Sequence, residues 1–194
     1  MGFVDLNNGG SGPGTGGYGP VPTPLYRHLD LNGDGTGTKN LIQDYSVSSD
    51  IASIQPPAGQ VYRITRMLML IGGKASSVKT DSYGSVPALS NGIQVRVQND
   101  SGTIIDLVDG INITSNANWG RVCFDSIIYS STSNTDTYNR VRWTFEKSGY
   151  PLRLDGDKNE RLEVVLNDDF TDGGSANALT KHYFVVQGYI ENTT

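Results

Sequence analysis

The sequence predicts an all-β protein: one β-sandwich, jelly-roll-like domain of about eight strands behind an extended N-terminal arm. Three observations predict it. Several segments alternate apolar and polar residues with the period of two that turns one strand face to a core. Glycine-containing turn dipeptides stand between those segments. The composition, with 24 glycines and 18% charged residues among 194, suits short strands and tight turns better than long amphipathic helices.

The chain divides near residue 25, giving an arm over 1–24 and a single domain over 25–194. From Asn7 to Pro24 the arm is mostly glycine, proline and small polar residues. Such a stretch buries too little apolar surface to offset the entropy of ordering it. Glycines loosen its first half, and Pro20, Pro22 and Pro24 stiffen the second toward polyproline II. Fully extended, the arm reaches about 80 Å at roughly 3.3 Å per residue. Phe3, Val4 and Leu6 make an apolar tip ahead of this tether, and the expectation is that they anchor the arm on a neighbouring subunit.

Strands are predicted over 49–54, 61–71, 93–99, 103–108, 121–129, 140–146, 161–166 and 181–190. In 93–99 the alternation sets Ile93, Val95 and Val97 against Gln94, Arg96 and Gln98. In 140–146 it points Val141, Trp143 and Phe145 inward, and in 161–166 it groups Leu162, Val164 and Leu166. Asn91-Gly92, Ser101-Gly102, Asp109-Gly110 and Asp155-Gly156 mark turns. A sandwich and a barrel share this pattern. Two strands, around 67–71 and 183–189, carry apolar residues on both faces, which fits either a covered central strand or a subunit interface. The polar stretches 75–91 and 130–139 read as long loops.

A net charge of −5 argues against a nucleic-acid partner, because phosphate neutralisation needs a basic face. No apolar run approaches the roughly 20 residues of a membrane-spanning helix, and the first residues lack the pattern of a secretory signal. No membrane partner is expected. Cys123, the single cysteine, forms no intramolecular disulfide and is expected to pack as a small apolar side chain. Synthesis in a reducing host cytoplasm is the expectation.

Few residues promise chemistry. Asp30, Asn32 and Asp34, followed by Gly35, match the first half of a calcium loop, in which alternate oxygen ligands wrap a hard cation. Leu41 stands where that loop needs a bidentate glutamate, so the segment reads as a glycine-capped turn, and no metal or other cofactor is expected. The acidic run 155–160 reads as a hairpin turn, and 167–172 as a solvated acidic turn. His28 and His182 form no metal pair, no nucleophile elbow is present, and no catalytic residues are expected. Trp119, in a loop-like setting, is the candidate for stacking a sugar.

Four stretches carry a family likeness: 25–40, with Asp30-Leu31-Asn32-Gly33-Asp34-Gly35; 55–66, opening Gln55-Pro56-Pro57-Ala58-Gly59; 152–157, ending Asp155-Gly156-Asp157; and 162–169, ending Asn167-Asp168-Asp169. In general character they resemble small virion proteins of tailed bacteriophages. The class most similar in size and build is the capsid decoration, or cement, protein. That resemblance implies a non-catalytic, β-rich, frequently trimeric protein of the virion. Such proteins bind the outer capsid and clamp neighbours with extended arms. The implied partners are the major capsid protein or another virion protein, and further copies of the chain in a homo-oligomer, with a trimer favoured. Two other readings share these features: a tail or fibre-base component, and a carbohydrate-binding receptor-recognition module.

Overall fold

The computed structural model describes residues 22–31, 40–42, 45–47, 51–74, 78–79, 82–83, 89–108, 113–114, 125–130, 136–145, 149–168 and 181–193. Their strands form two antiparallel six-stranded sheets around one core, with a separate two-stranded ribbon. The first sheet runs β1 (Thr23–Leu31), β14 (Lys181–Asn192), β5 (Gln60–Lys74), β11 (Asp136–Thr144), β10 (Asp125–Ser130), and β12 (Leu152–Asp155) also pairs with β5. The second runs β2 (Asn40–Ile42), β3 (Tyr45–Val47), β4 (Ile51–Ile54), β13 (Arg161–Leu166), β8 (Ile93–Asn99), β9 (Gly102–Asp106). The ribbon pairs β6 (Val78–Lys79) with β7 (Ser82–Tyr83).

Eight strands carry the topology. Along the chain they are β1, β4, β5, β8, β9, β11, β13 and β14. The first sheet orders them β1-β14-β5-β11 and the second β4-β13-β8-β9. First pairs with last, second with seventh, third with sixth and fourth with fifth, which is the nested double Greek key of a jelly roll.

The core follows the alternation of the sequence. Ile93, Val95, Val97, Leu162, Val164, Leu166, Ala52 and Ile54 face inward from the second sheet. Leu25, Leu29, Tyr62, Ile64, Met67, Met69, Ile71, Val141, Leu154, Phe184 and Val186 meet them from the first. Trp143 and Phe145 are buried there as a stacked pair, ring centroids 4.6 Å apart.

One residue sets the central strand's register. Tyr62 and Ile64 point inward at even positions, whereas Met67, Met69 and Ile71 do so at odd ones. The change falls at Thr65: Gln187 and Gly188 are consecutive in β14 but pair with Arg66 and Ile64, leaving Thr65 as a bulge. Its hydroxyl donates to the Gln187 carbonyl at 3.2 Å. A side chain at Gly188 has no room, since a Cβ there would lie 2.9 Å from the Arg63 carbonyl carbon. At the same point the other edge of β5 passes from β12, paired with 61–64, to β11, paired with 66–74.

Several predicted boundaries move. The ribbon and the buried Leu89 lie within 75–91, and β11 begins at Asp136, inside the predicted loop 130–139. Residues 136–139 extend the β10–β11 hairpin, where ladder hydrogen bonds hold polar residues that show no apolar period. β1 begins at Thr23, so Thr23 and Pro24 belong to the sheet, opposite Ile190 and Tyr189. β1 is the last strand at its side of the sheet, a position that tolerates proline. Arg27 Nη1 donates to the Tyr26 carbonyl at 2.8 Å, occupying a main-chain acceptor of that strand.

Candidate binding face

The acidic loops named by the sequence fasten the fold. The run 155–160 is a crossing from the first sheet to the second, not a hairpin turn, because β12 pairs with β5 while β13 pairs with β4 and β8. Asp155 caps the short 3-10 turn Gly156–Lys158 by accepting from the Asp157 N–H. Asp157 accepts from the Gly59 N–H at 2.7 Å and from the Thr193 hydroxyl at 3.2 Å, so the 55–60 crossing and the chain's last described residues are tied to it. Burial by itself would raise the Asp155 carboxyl. The Arg153 hydrogen bond, the Asp157 N–H and the Arg153 and Lys158 charges outweigh it and hold the group below the ordinary 3.8. Asp168 is similarly engaged: its carboxylate accepts from three consecutive backbone N–H groups, Ser90, Asn91 and Gly92, at 2.6–3.1 Å. The sequence reading of a solvated turn is corrected there. A short side chain leaving β13 meets a turn made concave by Gly92 at φ +77°.

Asp30 stands in β1 opposite Tyr183, while Asn32 and Asp34 lie outside the described residues. So do Phe3, Val4, Leu6, Trp119 and Cys123. Among the described residues, no group of three or more His, Cys, Asp or Glu is placed to hold a metal ion.

The outward surface of the first sheet has a different character. Pairing across β11, β5, β14 and β1 builds it in rows. Arg140, Leu70, Tyr183 and Asp30 form one row, and Arg142, Leu68, Val185 and His28 the next. The third is Thr144, Arg66, Gln187 and Tyr26, and beyond the bulge come Arg63, Tyr189 and Pro24. The middle columns are apolar, with Leu68 and Leu70 half-buried and Val185 buried. Arg66, Leu68, Val185 and Gln187 line a shallow depression at their centre. On the β1 side Tyr26 is 55% exposed, and His28 meets Tyr183 edge to face with centroids 5.0 Å apart. On the β11 side stand Arg140, exposed, and Arg142, half-buried, opposite Asp125 in the ladder. Arg63 pairs with Glu191 at 2.9 Å at the far end.

These are the two strands whose sequence was apolar on both faces. They lie side by side at the centre of one sheet, and their second faces merge into one surface of leucine, valine, tyrosine and arginine. Of these, tyrosine and arginine are enriched at protein interfaces, and the leucines and valine give the surface its apolar centre. The outward surface of the second sheet differs: there Glu163 is engaged by Arg96 and Arg161 within the chain. Sequence reasoning missed Arg66, Arg140, Arg142 and Tyr26. The alternation of 140–146 held Arg140 and Arg142 on one face, but nothing local joins them to Tyr26, more than a hundred residues away. In comparison with known proteins, the chain matches no family model, no curated protein and no solved structure.

Proposed function

We propose that this chain is a non-catalytic structural protein of a bacteriophage particle, a capsid decoration protein that stabilises the head by binding its subunits. The observation that carries the reading is the outward surface of the first sheet, an apolar centre bordered by Arg66, Arg140 and Tyr26. Tyrosine and arginine around an apolar centre form the usual anchor set of a protein interface. The resemblance of 25–40, 55–66, 152–157 and 162–169 to phage virion proteins supplies the particle as its setting. In this reading the sheet surface joins copies of the chain to one another, and Phe3, Val4 and Leu6 at the arm tip engage the capsid. Joined contacts of this kind gain affinity from effective concentration without any single strong one.

The test is binding to purified undecorated heads, followed by a particle reconstruction. Removing residues 1–21, which leaves β1 whole, is expected to keep the melting temperature and weaken head binding by at least about tenfold, or 1.4 kcal/mol. Arg66→Glu is expected to reduce the amount bound. Unchanged binding by both variants, or density on the tail alone, would reject the capsid assignment.

A further inference from the structure

We propose that the outward surface of the first sheet pairs with the same surface of a second copy of this chain, about a two-fold axis parallel to the strands and midway between β5 and β14. This rests on the reading of that surface as an assembly face, and it names the occupant.

The argument is one of self-complementarity. A two-fold interface sets the same patch against itself, so residue i meets j wherever j meets i. The rows can be superposed on their own reversal in one favourable way. An axis along the strands exchanges β5 with β14 and β11 with β1. Leu68 then lies over the partner copy's Val185 and Leu70 over its Tyr183, and each contact occurs twice, so the apolar columns cover one another. The outer columns exchange as well. Arg142 comes to His28 and Thr144 to Tyr26, while Arg140 comes to the row position of Asp30. Arg142 and Arg66 thus come beside the positions of aromatic residues, and Arg140 to the position of an acidic one. Arg66 comes to Gln187, beside the exposed Tyr26.

The alternative axis, running across the strands, keeps each column over itself. It would set the β11 column, with Arg140 and Arg142, against its own copy, and like charges brought together at an interface oppose association. Charge therefore selects the axis. Two twisted sheets packed face to face cross at roughly 30° about 10 Å apart. Contact of this kind is strongest near the axis, where Leu68, Leu70, Tyr183 and Val185 stand.

Light scattering and sedimentation equilibrium on the full chain at micromolar concentration, without particles, are the test. The expected mass is about 42 kDa, twice 20.9 kDa. Leu68→Lys puts two ammonium groups at the apolar centre and is expected to raise the dimer Kd by at least about tenfold. Arg140→Asp is expected to weaken the dimer, and adding Asp30→Arg to it should restore association by reversing the pair. Unchanged circular dichroism and melting temperature verify folding, and the exposed Arg140 keeps the test alive if Leu68→Lys does not fold. A wild-type monomer throughout the concentration range overturns the pairing, as does a dimer indifferent to both Leu68→Lys and Arg140→Asp. A monomer that binds heads and loses that binding with Leu68→Lys refutes self-pairing, assigns the face to an acidic capsid partner and leaves the assembly reading standing. A dimer sensitive to both variants that fails to bind heads does the reverse.

Discussion

Replacing Glu163 with alanine should be among the most damaging single changes outside the apolar core. Its side chain is 1% exposed although β13 turns it to the outer surface of the second sheet. Oε2 accepts from Arg96 Nε and Nη2 at 3.2 and 3.1 Å, and Oε1 accepts from Arg161 Nε at 3.1 Å. In the ladder it stands between Arg96 of β8 and Ser53 of β4, whose buried hydroxyl has no hydrogen-bond partner. Removing the carboxylate strands two guanidinium groups. Breaking a buried pair in this way costs about 3–5 kcal/mol. The lower end applies here for two reasons. The Arg96 and Arg161 side chains keep 27% and 16% of their exposure. Arg161 also retains Asp100 at 3.2 Å and the Asn99 carbonyl at 3.4 Å. We therefore expect a loss of about 3 kcal/mol in urea unfolding, or roughly 6–12 °C in melting temperature for a chain of this size. The loss should persist in high salt, because a buried pair is poorly screened. The double replacement Arg96→Met with Glu163→Leu should cost less than Glu163→Ala alone, since it removes the Arg96 charge together with its partner and leaves only Arg161, which keeps Asp100. A Glu163→Ala loss under about 1 kcal/mol, or no coupling between positions 96 and 163, would refute the reasoning.

Asp155 gives a pH test. Its native carboxyl is held below the ordinary value, so its contribution is fully present at neutral pH and lost as the pH falls through the native pKa. The gap in urea midpoint between the wild type and Asp155→Asn should be constant near pH 7 and narrow below about pH 3.8; a gap that does not change with pH would contradict the assignment. Gly188→Ala should lower stability by about 1–3 kcal/mol through overpacking at the Thr65 bulge, and a neutral result in thermal unfolding would show that β5 yields there. Asp168→Ala should speed amide exchange at Ser90, Asn91 and Gly92 and cost about 1–2 kcal/mol, because it removes charge-assisted bonds from three backbone donors; unaltered exchange would show that the clamp is dispensable.

Much of the interior was readable from local pattern. The alternations in 93–99, 140–146 and 161–166 identified Ile93, Val95, Val97, Val141, Trp143, Leu162, Val164 and Leu166 as inward-facing, and all are buried. A period of two depends only on neighbours in the chain, so it survives without knowledge of partners. The extent of β11 was not readable, because 136–139 are held by ladder bonds to β10 and β5 and show no apolar face. Nor was the bulge at Thr65, since a strand apolar on both sides hides a shift of phase.

The sequence by itself determined the all-β class and the inward residues of the regular strands. The tertiary structure decided which strands are neighbours, and through that everything resembling a site. Glu163 is buried because β8 brings Arg96 alongside it, not because of its own segment. Leu68, Tyr183, Arg140 and Tyr26 form one surface only because β5, β14, β11 and β1 are adjacent in the sheet. Side-chain facing is fixed within a strand, over a few ångströms of chain. Composition of a surface is fixed between strands, by pairings that join residues more than a hundred positions apart.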